Sequence, residues 1–290
     1  MVTKGPFHCG DGLVTRCCAA YLLLMKRWIP FIKSGPLVPV IRLNGIIAAG
    51  ARGATLNDAA LAPMIERAFR RGKPAAVALV INSPGGSPVQ SSLIAARIRR
   101  LADEKDLKVY VFVEDVAASG GYWLATAGDE IWVDPNSVVG SIGVISQNFG
   151  FQDLIARHGI ERRVHTAGKS KSQMDSFLPE KPADVKKLKS ILDQIHQSFI
   201  AHVKSRRGPL LDQKTELFTG DFWVGQSGVD IGLADGIGHL VPKMKELFGD
   251  KVKLAPYTLR RPFFQRIGVR IMDDAIYGLE ERAQFARFGL

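Results

Sequence analysis

Short apolar runs separated by amphipathic stretches organise most of this chain. Residues 37–43 are rich in β-branched side chains and close on Asn44-Gly45, which predicts a first strand. From residue 55 to 71 apolar positions recur at helical spacing (Leu56, Ala60, Leu61, Ile65, Phe69), with Thr55 or Asn57 as the cap. Pro63 falls inside that span, so the helix is expected to kink there or to begin there. Residues 75–81 form a continuous apolar run, the pattern of a strand buried on both faces. A turn, Asn82-Ser83-Pro84-Gly85-Gly86, leads into a helix predicted from about 88 to 103, with proline in its first turn. Residues 108–113 are another buried strand, running through Glu114-Asp115-Val116 into Ala117-Ala118-Ser119-Gly120-Gly121-Tyr122. Residues 120–127 then predict a short helix.

Further on, residues 131–133 predict a short strand, followed by Val138-Val139-Gly140-Ser141-Ile142-Gly143-Val144-Ile145. Residues 151–158 read as helix, 163–166 as extended, and 182–207 as a long amphipathic helix with lysines on one side. Asp235-Gly236-Ile237-Gly238 precedes a helix near 241–248, a strand near 252–256 and a final basic helix. Strands alternating with helices imply an α/β fold with a largely parallel sheet. No internal repeat or discrete domain boundary is visible. Residues 1–36 read as a leader outside the fold, 37–250 as the main domain, and 251–290 as a C-terminal strand and basic amphipathic helix. A hydrophobic content of 46% over 290 residues suffices for a substantial core.

The formal net charge is +11, with Lys and Arg concentrated on predicted helices and at both ends. No aromatic-interleaved basic motif accompanies them, so nucleic acid is not an expected partner. A solvated helix face is the favoured reading, with attraction to anionic lipid headgroups as the second. Cys9, Cys17 and Cys18 all lie at the start of the chain, which leaves no disulfide framework and no spaced metal site. Residues 17–25 are uncharged but fall short of the ~20 apolar residues that span a bilayer. They lack a small-residue cleavage site, and Lys26-Arg27 follow, which argues against secretion; Met25 is an alternative start. The longer uncharged run at 135–152 is rich in Gly, Ser, Asn and Gln and reads as turns and short strands. No transmembrane helix is expected, and a cytoplasmic location follows, with peripheral membrane contact through the basic ends.

Ser119 is the first candidate for chemistry. A serine at a strand-to-helix turn, followed by glycines with free N–H groups, has the layout of a nucleophile beside its own oxyanion donor. The Gly85-Gly86 turn is placed to supply a second donor. A hydroxyl also needs a base. The histidines are His8, His158, His165, His196, His202 and His239, so the glycine-rich core around Ser119 contains no imidazole. His158 and His165 read as surface or structural. Lysine is the other route, since a desolvated lysine loses basicity and can accept a proton. His165-Thr166-Ala167-Gly168-Lys169-Ser170-Lys171-Ser172 places two lysines in a small-residue loop. Asp115 and Asp129 read as turn and cap residues, and Tyr122 and Trp123 as packing behind the serine.

Four motifs in order, Asn-Ser-Pro-Gly-Gly, Ala-Ala-Ser-Gly-Gly-Tyr-Trp, Val-Gly-Ser-Ile-Gly-Val-Ile and Gly-Lys-Ser-Lys-Ser, resemble those of the signal peptide peptidase A family of serine–lysine peptidases. The resemblance covers roughly residues 37–245 and includes the late Gly232-Leu233-Ala234-Asp235-Gly236-Ile237-Gly238. It implies a Clp-protease/crotonase-like spiral of ββα units with C-terminal helices. It also implies Ser119 as nucleophile and Lys171, the lysine of a Gly-x-x-Lys pattern, as general base. Ser170 stands where the family often has an aromatic residue, which keeps Lys169 open as the alternative. The implied oxyanion donors are the Gly120 N–H and that of Gly85 or Gly86. Gly140, Ser141 and Ile142 would line the cleft, with Ser141 bonding substrate backbone or orienting the lysine.

The activity so implied is endopeptidase cleavage of extended peptides through an acyl-enzyme, with no cofactor or metal. Signal-peptide remnants and membrane-derived segments are the implied substrates, and ring- or dome-like homo-oligomers would complete the active sites between subunits. Two rivals stand beside it. A crotonase-type acyl-CoA enzyme shares the fold and its paired glycine donors but would place carboxylates in the site, and no suitable Glu pair is visible. The other is a non-catalytic scaffold that binds membrane proteins.

Overall fold

A computed structural model describes residues 35–50, 55–258 and 282–290. The leader and residues 259–281 lie outside the described residues; of the basic helix expected near the C-terminus, residues 282–286 are described and are helical. Eight strands form one sheet: β1 (Leu37–Asn44), β2 (Val77–Ser83), β3 (Val109–Ala118), β4 (Glu130–Val133), β5 (Val138–Gly140), β6 (Phe222–Val224), β7 (Gly236–Ile237) and β8 (Lys253–Tyr257). The main path runs β6-β5-β3-β2-β1-β8, with β4 bridging β3 and β7. Every pairing is parallel except β5 with β6.

Helices α1 (Asp58–Arg70), α2 (Pro88–Lys105), α3 (Gly120–Ala125), α4 (Gln152–Arg157), α5 (Pro182–Arg207), α6 (Gln226–Asp230) and α7 (Leu240–Phe248) follow the strands. Asn57 caps α1 by accepting from Ala60 N at 2.9 Å, and the helix continues through Pro63 rather than starting there. Alternation on the strands divides the core. Ile41, Leu43, Leu79, Ile81, Val111 and Val113 pack with residues of α1, α2, α3 and α5 on one face. Val38, Val40, Ala78, Val80, Tyr110 and Phe112 meet Met244 and Phe248 of α7 on the other.

β3 is where the sheet divides. Its first half pairs with β4 (Tyr110↔Glu130 to Val113↔Val133), and its second half with β5 (Val116↔Val138 to Ala118↔Gly140). The register against β2 shifts at the same level, between Ile81 and Ser83. Carbonyls exposed by such a split need donors, and the single proton of the Ser137 hydroxyl is shared between those of Val113 (3.1 Å) and Glu114. The change of partner carries the C-terminal end of β3 clear of β4 and delivers Ser119 beside β5.

Helix α3 is short and buried throughout, so its ends need partners. At its C-terminal end Arg206 donates to the Thr126 and Gly128 carbonyls (both 2.9 Å), and Arg99 to that of Ala127 (3.1 Å). Cations at this end also suit the helix dipole. Trp123 stacks on Phe199 and His202 of α5, each with ring centroids 4.8 Å apart. The Thr126 hydroxyl donates its single proton to the Trp123 carbonyl (2.7 Å), so the 2.9 Å contact with His202 requires Nε2 of the imidazole to be the donor. Arg207 is buried; it donates to the Gly232 carbonyl (3.1 and 2.8 Å) and pairs with Asp235 (2.7 Å), which also accepts from Ile131 N (2.6 Å).

Two predictions follow from α5. Arg207→Ala strands the Asp235 carboxylate and the Gly232 carbonyl, so urea unfolding should show a loss of about 3–5 kcal/mol. Burial, reinforced by the Arg206 charge, lowers the His202 pKa to about 4 from an ordinary 6.5. The unfolded chain therefore takes up this proton first as pH falls, and stability drops through the window from 6.5 towards 4. His202→Gln should flatten the urea-midpoint curve across that window; a variant curve parallel to the parent's would contradict the assignment.

Candidate active site

Ser119 lies between the last residue of β3 and the first of α3, with φ +51° and ψ −121°. This is a strained conformation for a residue with a side chain. It is held from both sides: Ser119 N donates to the Gly140 carbonyl at 2.8 Å, and the Ser119 carbonyl accepts from Trp123 N at 3.0 Å. Although Ser119 occupies the N-cap position of α3, its hydroxyl makes no capping bond. The strained turn therefore presents an uncommitted Oγ at a helix N-terminus.

The Gly85-Gly86 turn abuts this point. A Cβ added to Gly120 would lie 3.3 Å from Gly86 N and 2.5 Å from Ser91 Oγ, so only glycine leaves the backbone of the two turns this close. Gly86 has φ +139°, and a Cβ there would meet the Ile47 carbonyl at 2.0 Å. Ile47 fixes the turn through Ile47 N to the Gly85 carbonyl (2.9 Å) and Ser87 N to the Ile47 carbonyl (2.7 Å). Gly85 N–H points to Ser83 Oγ at 3.3 Å. Among the described residues no acceptor takes the N–H of Gly86 or Gly120. Of the two glycines of the first turn, Gly86 is thus the one with a donor to spare.

Gly140, Ser141 and Ile142 stand across from Ser119. Gly140 (φ +107°) and Ser141 (φ +51°) turn the chain sharply at the end of β5, while the Ile142 side chain is fully buried. Three backbone and side-chain contacts hold the turn: Ser141 N to the Asp221 carbonyl (2.6 Å), Gly143 N to the Ser141 carbonyl (2.9 Å), and His196 Nε2 to the Ile142 carbonyl (3.0 Å). The structure brings the Gly140 turn directly against Ser119, but does the same for neither lysine.

Residues 144–181 form an arm that closes on itself. Phe151 N donates to the Ser176 carbonyl (2.6 Å), Phe151 lies between Phe149 and Phe177, and Arg162 pairs with Asp175 and covers the Phe177 ring. Residues 163–166, expected to be extended, are coil here. Lys169 and Lys171 are exposed on a turn closed by Lys171 N to the Gly168 carbonyl (3.2 Å). Among the described residues no hydrogen bond joins either ammonium to Ser119. A cavity of about 320 Å³ lies within the arm, lined by Phe149, Gln152, Met174 and Leu178 among others, and Ser119 does not reach it.

Other titratable groups are committed elsewhere. Asp129 accepts from Val109 N (2.7 Å) and pairs with Arg99, and Asp115 accepts from Asn82 (2.6 Å). His158 and His165 are exposed, His202 bonds Thr126, and His196 holds Ile142. No imidazole bonds Ser119 among the described residues. His196 and Asp221 were invisible as site-shaping residues in the sequence. The one signal was that His196, Phe199, Val203 and Arg207 fall on a single helical stripe.

The profile of Peptidase family S49 matches residues 102–250, just over half of the 290. The Gly85-Gly86 turn lies ahead of that match, so its place beside Ser119 rests on the structure. A Brucella melitensis protein named Na(+)/H(+) antiporter NhaA is 45% identical over 287 residues, covering 92% of this chain but only 39% of that protein. The probable protease SohB of Haemophilus influenzae is 32% identical over 204 residues, covering 69% of this chain and 56% of the relative. This chain thus spans well under two thirds of either relative. Among the described residues no helix is long and apolar enough to cross a membrane. A solved structure of a mutant 1510-N membrane-bound stomatin-specific protease, in complex with a substrate peptide, aligns over 84% of this chain and 99% of its own with a TM-score of 0.51. At 14% identity that likeness speaks to the fold, a Clp-protease-like α/β architecture. With the profile running from α2 through Ser119 and the lysine turn to the end of α7, this chain belongs to peptidase family S49.

Proposed function

We propose that this chain is a serine endopeptidase acting on extended peptides through a Ser119–Lys171 dyad. One observation carries the reading: an uncommitted Ser119 Oγ in a strained turn, beside two uncommitted glycine N–H groups. Neutral Lys171 takes the Ser119 proton as Oγ attacks the scissile carbonyl carbon. The oxyanion accepts from the Gly86 and Gly120 N–H groups. The lysine ammonium then protonates the departing amine, leaving an ester on Ser119. Water, deprotonated by the lysine, attacks that ester and releases the acid. Removing one such donor in a hydrolase typically costs about 10²–10³ in rate.

A lysine works as a base only where it is stripped of water. In one chain Lys171 lies in solvent, and the same arm exposes Ile145, Phe149, Leu154, Ile160 and Val164. This exposure supports a homo-oligomer in which a neighbouring copy covers the arm and Lys171 serves the Ser119 of that neighbour. The peptide bound to the solved relative supports peptide substrates. The Brucella protein, a longer chain named for cation exchange, supports a setting next to membrane proteins; a cytoplasmic location with peripheral membrane contact is the placement we propose. Against the crotonase alternative, Asp115 and Asp129 beside this part of the sheet are both engaged structurally.

Ser119→Ala and Lys171→Ala chains should each lose roughly 10⁴–10⁶ in peptide turnover. Mixed after dissociation and reassembled, the two should regain a fraction of parent activity. Verified mixed oligomers that stay inactive would overturn shared sites, and a Lys171→Ala chain with parent turnover would overturn the dyad.

A further inference from the structure

Between Ile142 and Phe199 no residue is buried. The chain leaves the core at Ile142, runs through the arm, and returns along α5, whose first buried residue is Phe199. The first half of α5 therefore projects from the body together with the arm, over about 20 Å at 1.5 Å per residue. A projection of this length carries its tip accurately only if its root is stiff. The two ends meet at the root, where Ile142 and Phe199 share the hydrophobic core and one hydrogen bond is added. Among the described residues, the hydrogen bond between His196 Nε2 and the Ile142 carbonyl (3.0 Å) is the one that joins them.

We infer that His196 is a positioning residue that locks the root of the lysine-bearing arm to the turn facing Ser119. A carbonyl only accepts, so the bond requires a proton on Nε2. The same turn offers the Gly140 carbonyl to Ser119 N and sends Ser141 N to the Asp221 carbonyl. A donor on Ile142 thus holds at one point the backbone next to the serine, the departing arm and the returning helix. Phe199, one turn further along α5, stacks on Trp123 of α3 and sets the height at which His196 meets Ile142. His196 touches neither substrate nor reacting atoms; it acts through the segment it holds.

The kinetic part of the test rests on the peptidase reading, and the exchange part does not. In the full chain, His196→Leu keeps bulk and loses the donor, while His196→Gln places an amide N–H near the position of Nε2. The Leu variant should lower kcat about tenfold with KM within about twofold, and hydrogen exchange in the peptide spanning 138–150 should quicken by about tenfold. The Gln variant should restore both towards parent values. Parent-like kcat and exchange in the Leu variant would overturn the inference, as would a Gln variant as impaired as Leu. If the parent shows no peptide turnover, the functional reading fails while the exchange comparison still judges the contact. Should the Leu variant not fold, the ¹⁵N imidazole resonances of parent His196 decide: a proton on Nε2 supports the bond, and a bare Nε2 overturns it.

Discussion

A backbone hydrogen bond from Ser119 N to the Gly140 carbonyl, 2.8 Å long, ties together the two turns on which the site depends. Ser119 sits at a positive φ that costs of order 1–3 kcal/mol for a non-glycine residue, and such a conformation persists only where its surroundings dictate it. Here they do so because β3 exchanges one neighbour for another. The first half of the strand is committed to β4 and the second to β5, so the chain reaches Ser119 already aligned with Gly140. The glycines at 85, 86 and 120 then let two stretches of backbone come closer than any side chain would permit.

The rest of the fold keeps that arrangement from relaxing. Helix α3, only six residues long, could not hold its orientation by its own hydrogen bonds. It is gripped along its length by α5, through Phe199 and His202 on Trp123 and Arg206 on the final carbonyls, and Tyr122 anchors to the Leu233 carbonyl at 2.8 Å. The same helix, at its other end, supports the arm. One element therefore supports the Ser119 turn directly and the lysine-bearing arm at its root, and relative motion of the two has to pass through it.

Much of this was legible in sequence where a period or a punctuating residue was strong. The long helix at 182–207 was read with its observed bounds, since Pro182 opens it and Gly208 follows its regular stripe. Two buried strands were read from the apolar runs 75–81 and 108–113, and the structure extends them through polar residues to Ser83 and Ala118. β6 escaped notice because three residues, two of them exposed, leave no pattern to find. The arm misled for a related reason: residues 163–166 have the composition of a strand but no sheet edge to join. The glycine motifs marked two turns that the fold sets side by side, yet only the geometry distinguished Gly86 from Gly85, through the Ser83 hydroxyl. His196 could not be recognised from a histidine count, because its partner is a backbone carbonyl.

Within one chain the serine is prepared and the lysine is not delivered, so the central claim is that assembly brings them together. A crystal structure of the assembled protein tests it most directly. The account predicts Lys171 Nζ of one protomer within about 2.6–3.2 Å of Ser119 Oγ of its neighbour, the reach of a hydrogen bond to a working base. A structure in which Lys171 stays in solvent in every copy, with another group against Ser119 Oγ, would contradict it.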